Sequence, residues 1–133
     1  SREAGVRDGC LAHGPVEPSV VRPDIDPDDA LIALDALETP GVGIACYNDD
    51  VATALLSAIA ARGLRVPEDV ALIGMHHTPL SRVTVPPLTT MAYDLEAAAR
   101  SVIAGVLTVL GGSDSVRESI AAESLRLIPG GTA

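Results

Sequence analysis

The sequence predicts an α/β fold, a three-layer sandwich around a mainly parallel sheet. Two observations carry that prediction. The hydrophobic periodicity switches repeatedly between helix and strand, which is the pattern of βαβ units. The strand candidates are short and almost wholly apolar, as strands covered on both faces are. A chain of 133 residues with 47% hydrophobic content is also large enough to bury one core.

Each element can be justified in order along the chain. Arg2 to Ala12 reads as a helix stopped by Gly14 and Pro15. Ser19 to Arg22 reads as a short extended segment. Asp26-Pro27-Asp28-Asp29 is a strong helix start: Asp at the cap, Pro at the first helical position, and acidic residues at the positive end of the dipole. That helix is expected to run to about Leu37, with Ala30, Leu31, Leu34 and Leu37 along one face. Gly43 to Tyr47 is the first buried strand, and Asn48 or Asp49 caps a helix carrying Ala52, Leu55, Leu56 and Ile59 before Gly63. Val70 to Gly74 is the next strand. Thr78 to Pro87 is too rich in Pro for a regular element and reads as a loop, followed by an extended Leu88 to Tyr93. Asp94 caps a long helix to about Leu110, apolar at Ala98, Val102, Val106, Val109 and Leu110, which Gly111-Gly112-Ser113 ends. The last strand candidate is about Glu123 to Ile128.

Composition excludes several function classes. Nine Arg and no Lys stand against 18 acidic residues, a net charge of −9, the wrong sign for a surface that neutralises phosphates. No apolar run approaches a membrane span, and the first residues lack a basic-then-apolar signal pattern. Ser1 to Ala4 reads as the middle of a helix, so the chain is expected to begin inside a larger protein. Cys10 and Cys46 have no metal-ligand spacing, and both are expected to be core thiols. With Tyr47 and Tyr93 the only aromatics besides histidine, the core must be aliphatic.

In an open α/β sheet, ligands bind at the carboxyl ends of the strands, beside helix N-termini. Two strands end in polar clusters here, Tyr47-Asn48-Asp49-Asp50 and His76-His77-Thr78. Asn48 offers donors and acceptors suited to a sugar hydroxyl or a nucleobase edge, beside its plain role as a helix cap. His76, His77 and Asp49 are not expected to hold a metal, because neighbouring strand residues point to opposite faces. There is no Gly-x-Ser-x-Gly elbow, no base near either Cys in sequence, and no Gly-rich phosphate loop.

Three segments in this order and spacing resemble the effector-binding core of LacI/GalR-type transcriptional regulators. They are Tyr47-Asn48-Asp49-Asp50-Val51-Ala52, the run from Gly63 through Val66-Pro67-Glu68-Asp69-Val70 to Gly74, and Pro86-Pro87-Leu88-Thr89-Thr90. The resemblance begins at Arg2-Glu3-Ala4-Gly5 and weakens after about Gly112. It implies an incomplete fold of the periplasmic-binding-protein-like type I. Residues 1–93 and about 120–133 would form most of the C-terminal subdomain, and about 94–119 a helix of the N-terminal one. The DNA-binding head would be absent. Such a part should leave an apolar helix face or an open sheet edge exposed.

The function implied by the resemblance is non-enzymatic and needs no cofactor. A small molecule (sugar, nucleobase or small anion) binds between the subdomains of a cytoplasmic homodimer and alters operator binding through the separate heads. Arg2, just before Ala4-Gly5, would point into the cleft; Asn48 and Tyr93 would contribute polar groups. The departure is Gly74-Met75-His76-His77, where the family has Gly, an aromatic residue and a pair of Asp. An imidazole at His76 accepts one hydrogen bond where a carboxylate accepts several, which favours an anionic or amphoteric effector over a polyol. The dimer surface would use Val51 to Arg62 and about Leu72 to Arg82, with Leu55, Leu56, Ile59 and Thr84 at the partner. Leu55 and Leu56 are adjacent, so one of them is free for that role. The rivals are a transport-type solute-binding protein with the same fold and an α/β enzyme.

Overall fold

The computed structural model describes residues 1–14, 17–37, 39–111 and 125–133. Four helices and four strands follow in the order α1 (Arg2–His13), α2 (Pro27–Asp35), β1 (Val42–Ala45), α3 (Asp49–Ala61), β2 (Val70–Met75), β3 (Thr90–Tyr93), α4 (Leu95–Gly111) and β4 (Leu125–Ile128). The strands form one sheet in the order β1-β2-β3-β4. β1 and β3 flank β2 in parallel, with Ile44 opposite Leu72 and Gly74 opposite Thr90. β4 runs antiparallel to β3, with Tyr93 opposite Leu125. The mainly parallel sheet expected of the sequence is the one found.

Local chemistry sets most boundaries. Asp26 caps α2 by accepting from the backbone N–H groups of Asp28 and Asp29, and Pro27 opens the helix. Asn48 caps α3 through the Val51 N–H at 2.9 Å. Gly63, at φ +67°, turns the chain after α3 in the left-handed region. Asp94 caps α4 through the Ala97 N–H. α1 runs from Arg2, and the Ser1 hydroxyl accepts from the Ala4 N–H. A 3-10 turn, Pro79–Arg82, interrupts the segment read as loop; Pro79 presets its first φ, and the buried Ser81 closes it by donating to the Thr78 carbonyl. The Pro15 stop, Gly112-Ser113 and the start of the last strand at Glu123 lie outside the described residues.

The core is aliphatic and lies between the sheet and the α2–α3 layer. Ala30 and Leu34 of α2, Ala52, Leu55 and Ile59 of α3, and Val70 and Leu72 of β2 are all almost fully buried. Arg62 fastens the two helices at their C-terminal ends through a two-pronged pair with Asp35 at 2.9 and 2.5 Å. This pair lowers the Asp35 pKa, first through the hydrogen bond itself. A second fastening joins the sheet to the chain end. Thr132 is fully buried; its hydroxyl donates to the Leu72 carbonyl and accepts from the Thr89 N–H, both at 2.8 Å. Gly130 passes so close to Pro87 and Leu88 that a side chain there would meet backbone atoms.

Two expectations about burial are corrected. β1 is covered on one face only, since Gly43 and Ala45 are exposed while Val42 and Ile44 turn toward the core. Cys10 is exposed, because α1 buries no residue. Cys46 does pack against the core, and burial together with the Asp49 charge pushes its thiol up to about 12.

Candidate functional site

The carboxyl ends of the three parallel strands lie side by side, and each carries one residue of a polar cluster. Tyr47 follows β1, His76 follows β2, and Tyr93 closes β3. Arg2, the first residue of α1, reaches all three. One guanidinium nitrogen donates to the Tyr47 carbonyl at 2.8 Å. The other lies 2.9 Å from His76 Nε2 and 3.5 Å from the Tyr93 hydroxyl. The guanidinium carbon sits 4.5 Å from the centre of the Tyr47 ring, a cation–π distance. His76 and Tyr93 stack with centroids 6.1 Å apart and planes at 25°.

An arginine donates only, so in this contact His76 Nε2 stands as the acceptor. The His76 backbone is held in place by β3, whose Met91 carbonyl accepts from the His76 N–H at 2.7 Å. His76 and His77 both have positive φ, 97° and 52°. For side-chain-bearing residues such backbone is costly and clusters at ligand sites.

A buried carboxylate lies behind the cluster and shapes this turn. Asp49, fully buried, accepts from the Thr78 N–H and the Thr90 hydroxyl, each at 2.6 Å. It thereby ties the start of α3 to the segment after β2 and to β3. Gly74 is obligatory beneath it: a Cβ there would collide with the Asp49 carboxylate and lie 2.8 Å from Leu88 Cδ2.

Of the residues singled out in the sequence, Arg2, His76 and Tyr93 come together. Asn48 adjoins them but commits its side-chain oxygen to the α3 cap. Sequence reasoning missed Tyr47 as a member, although its place at a strand end as one of two tyrosines was a usable signal. It also missed the tertiary role of Asp49, for which local sequence holds no signal. The residues expected at a partner interface divide. Leu55, Leu56 and Ile59 are 2%, 8% and 0% exposed, inside this chain's own core, and have no surface to offer a partner. Thr84 is half-buried, with its hydroxyl on the Ser81 carbonyl. A separate groove of about 300 Å³ between residues 21–23 and α2 is lined by none of the cluster residues. Among the described residues no group of three His, Cys, Asp or Glu is placed to hold a metal ion.

A periplasmic-binding-protein-like domain model matches residues 1–133, the whole chain. The chain belongs to that family. Its sequence relatives include the HTH-type transcriptional repressor PurR of Vibrio atlanticus (strain LGP32), 33% identical over 78 residues, covering 56% of this chain and 23% of that protein. The probable HTH-type transcriptional repressor ExuR of Bacillus subtilis (strain 168) is 39% identical over 67 residues, 50% of this chain and 20% of its own. Among solved structures, a LacI family transcriptional regulator from Arthrobacter sp. FB24 superposes with a TM-score of 0.66 at 31% identity, covering 98% of this chain and 49% of that one. The Escherichia coli transcriptional repressor ascG gives 0.71 at 24% identity, over 99% and 49%. The aligned segments are about a fifth of each sequence relative, and the chain spans about half of these structures. These relatives bear out the LacI/GalR-type effector-binding domain read from the motifs. They are named as transcriptional repressors or regulators and none of them as an enzyme.

Proposed function

We propose that this domain is the effector-binding and dimerisation region of a LacI-type DNA-binding regulator. A small molecule bound over the strand ends would modulate operator binding. The observation that carries this reading is the convergence of Arg2, Tyr47, His76 and Tyr93 at the carboxyl ends of three parallel strands, where such sheets bind ligands. Arg2 supplies several donors in a fixed fork, the two tyrosines supply faces and hydroxyls, and His76 supplies an acceptor that a ligand can compete for. The repressor names of the relatives support this reading over solute capture by a transport protein of the same fold.

The subdomain assignment belongs to the same proposal: residues 1–93 and about 120–133 in one lobe and about 94–119 in the other. In its support, α4 leaves Val102, Ile103, Val106, Leu107, Val109 and Leu110 exposed. The homodimer surface is best placed beside α3, on the segment that holds Leu80, Val83, Thr84 and Val85. Val83 and Val85 are 71% and 90% exposed, whereas the leucines of α3 are inside. No helix among the described residues is long and apolar enough to cross a membrane.

A ligand can shift operator affinity only by binding two conformations unequally. The test is a mobility-shift titration of the parent protein on DNA from its own upstream region, with and without candidate small molecules. A change in operator affinity that Arg2→Gln abolishes is expected. Operator binding that no small molecule alters, or no operator binding at all, would defeat the reading.

A further inference from the structure

We propose that the Arg2–His76 pair is a receptor for an oxyanion, so that the effector is a small molecule carrying a carboxylate or phosphate group, bound together with a proton. This deepens, and rests on, the reading of the strand-end cluster as the effector site.

The partners of Arg2 point to an anion. Arg2 carries a full charge, yet every acceptor it touches is neutral: a backbone carbonyl, an imidazole nitrogen and a phenol. No carboxylate among the described residues answers it. Asp49 is turned inward onto Thr78 and Thr90, Asp94 caps α4, and Glu3 pairs with Arg22 at 2.7 Å. A guanidinium fork matches the geometry of carboxylate and phosphate oxygens, and charge-assisted bonds are the strong ones.

The proton follows from the contact with Arg2. In the free chain His76 Nε2 accepts from Arg2. An oxyanion seated on Arg2 takes over that donor and brings negative charge beside the ring, which favours an imidazolium donating to it over a neutral ring. The side chains that touch the His76 ring are Arg2 from α1 and Tyr93 from β3, with His77 next in the chain. Of the side chains that touch the ring only Arg2 is charged, so an imidazolium there would face a like charge unless an anion sat between them. Binding and protonation therefore favour each other.

The experiment uses the parent protein, labelled with ¹⁵N-histidine, with the His76 ring nitrogens followed by NMR. It is titrated with a hexuronate, a hexose phosphate, the matching neutral hexose and inorganic phosphate, at equal ionic strength, at about pH 6 and about pH 8, either side of the range where histidines titrate. At least one anion is expected to convert His76 from the neutral Nδ1–H tautomer to the imidazolium. It should bind about tenfold or more tightly at the lower pH, and His76→Gln should remove the pH dependence while keeping weaker binding. The hexuronate and phosphate arms decide which oxyanion the site prefers. A pH dependence that persists in His76→Gln would overturn the proposal. So would binding of the neutral hexose at equal strength, although that result would leave the effector reading standing. If no probe disturbs His76, the oxyanion proposal falls, while the mobility-shift titration still judges the broader reading independently.

Discussion

Helices α3 and α4 start alike and end in opposite environments. Each is capped by an Asn or Asp, carries acid in its first turn and is rich in aliphatic residues. Yet α3 buries six of its 13 residues, and α4 buries none of its 17. Capping and propensity decide that a helix forms. Only a facing surface decides what its apolar side does, because most helical stability in a protein comes from tertiary packing. α2 and β2 supply that surface to α3, and α1 shares the bare condition of α4.

The two cysteines report this contrast with the largest expected effect. Cys10 lies on exposed α1, whereas Cys46 is packed against the core with its thiol pushed up to about 12. At neutral pH the reactive thiolate of Cys46 is then on the order of one part in 10⁵. In alkylation followed by mass spectrometry Cys10 should be modified at least ~10³ times faster. Comparable rates would mean the core around Cys46 opens readily.

Next come the substitutions that set a packed site against a bare one. Gly74→Ala forces a side chain into the Asp49 carboxylate and Leu88, and about 3 kcal/mol or more of destabilisation is expected. Leu55→Ala, at a fully packed position, should cost about 2–5 kcal/mol. Val106→Ala on α4 should change stability by less than about 0.5 kcal/mol. Urea unfolding followed by circular dichroism measures all three. A loss at Val106 as large as that at Leu55 would show that α4 is covered in solution.

Arg2→Gln should leave the urea midpoint almost unmoved, within about 0.5 kcal/mol, while removing ligand response, because Arg2 ties an exposed cluster and no part of the core. The smallest effect belongs to the turn before β2. Arg65 donates to Asp69 from its side chain and its backbone, which lowers the Asp69 pKa to about 2. A carboxylate depressed in the folded state stabilises above its unfolded pKa of about 4, and that contribution is lost as pH falls toward about 2. Asp69→Asn should flatten the acid limb of the stability profile over that window only, and ¹³C titration of the Asp69 carboxyl gives the midpoint directly.

The elements were largely legible from local signals. Asp26-Pro27, Asn48, Gly63 and Asp94 each mark a boundary through their own backbone chemistry, and they do so in the structure. Part of the candidate site was legible too, since Arg2, His76 and Tyr93 were named and meet. The misreading of Leu55 and Leu56 is instructive. Neighbours on a helix point about 100° apart, which argues against a shared core when only one surface covers the helix. Wedged between α2 and the sheet, α3 has a buried arc wide enough for both.

What the sequence determined by itself is therefore the succession of helices and strands, their caps and the parallel α/β character, all properties of residues close along the chain. The tertiary structure alone decided which apolar faces are covered and that Tyr47 joins Arg2. It also decided that Asp49 bonds Thr78 and Thr90, and that Thr132 locks Leu72 to Thr89. Those contacts join residues 29 to 60 positions apart. Their energy depends on distance and burial, which no local pattern records.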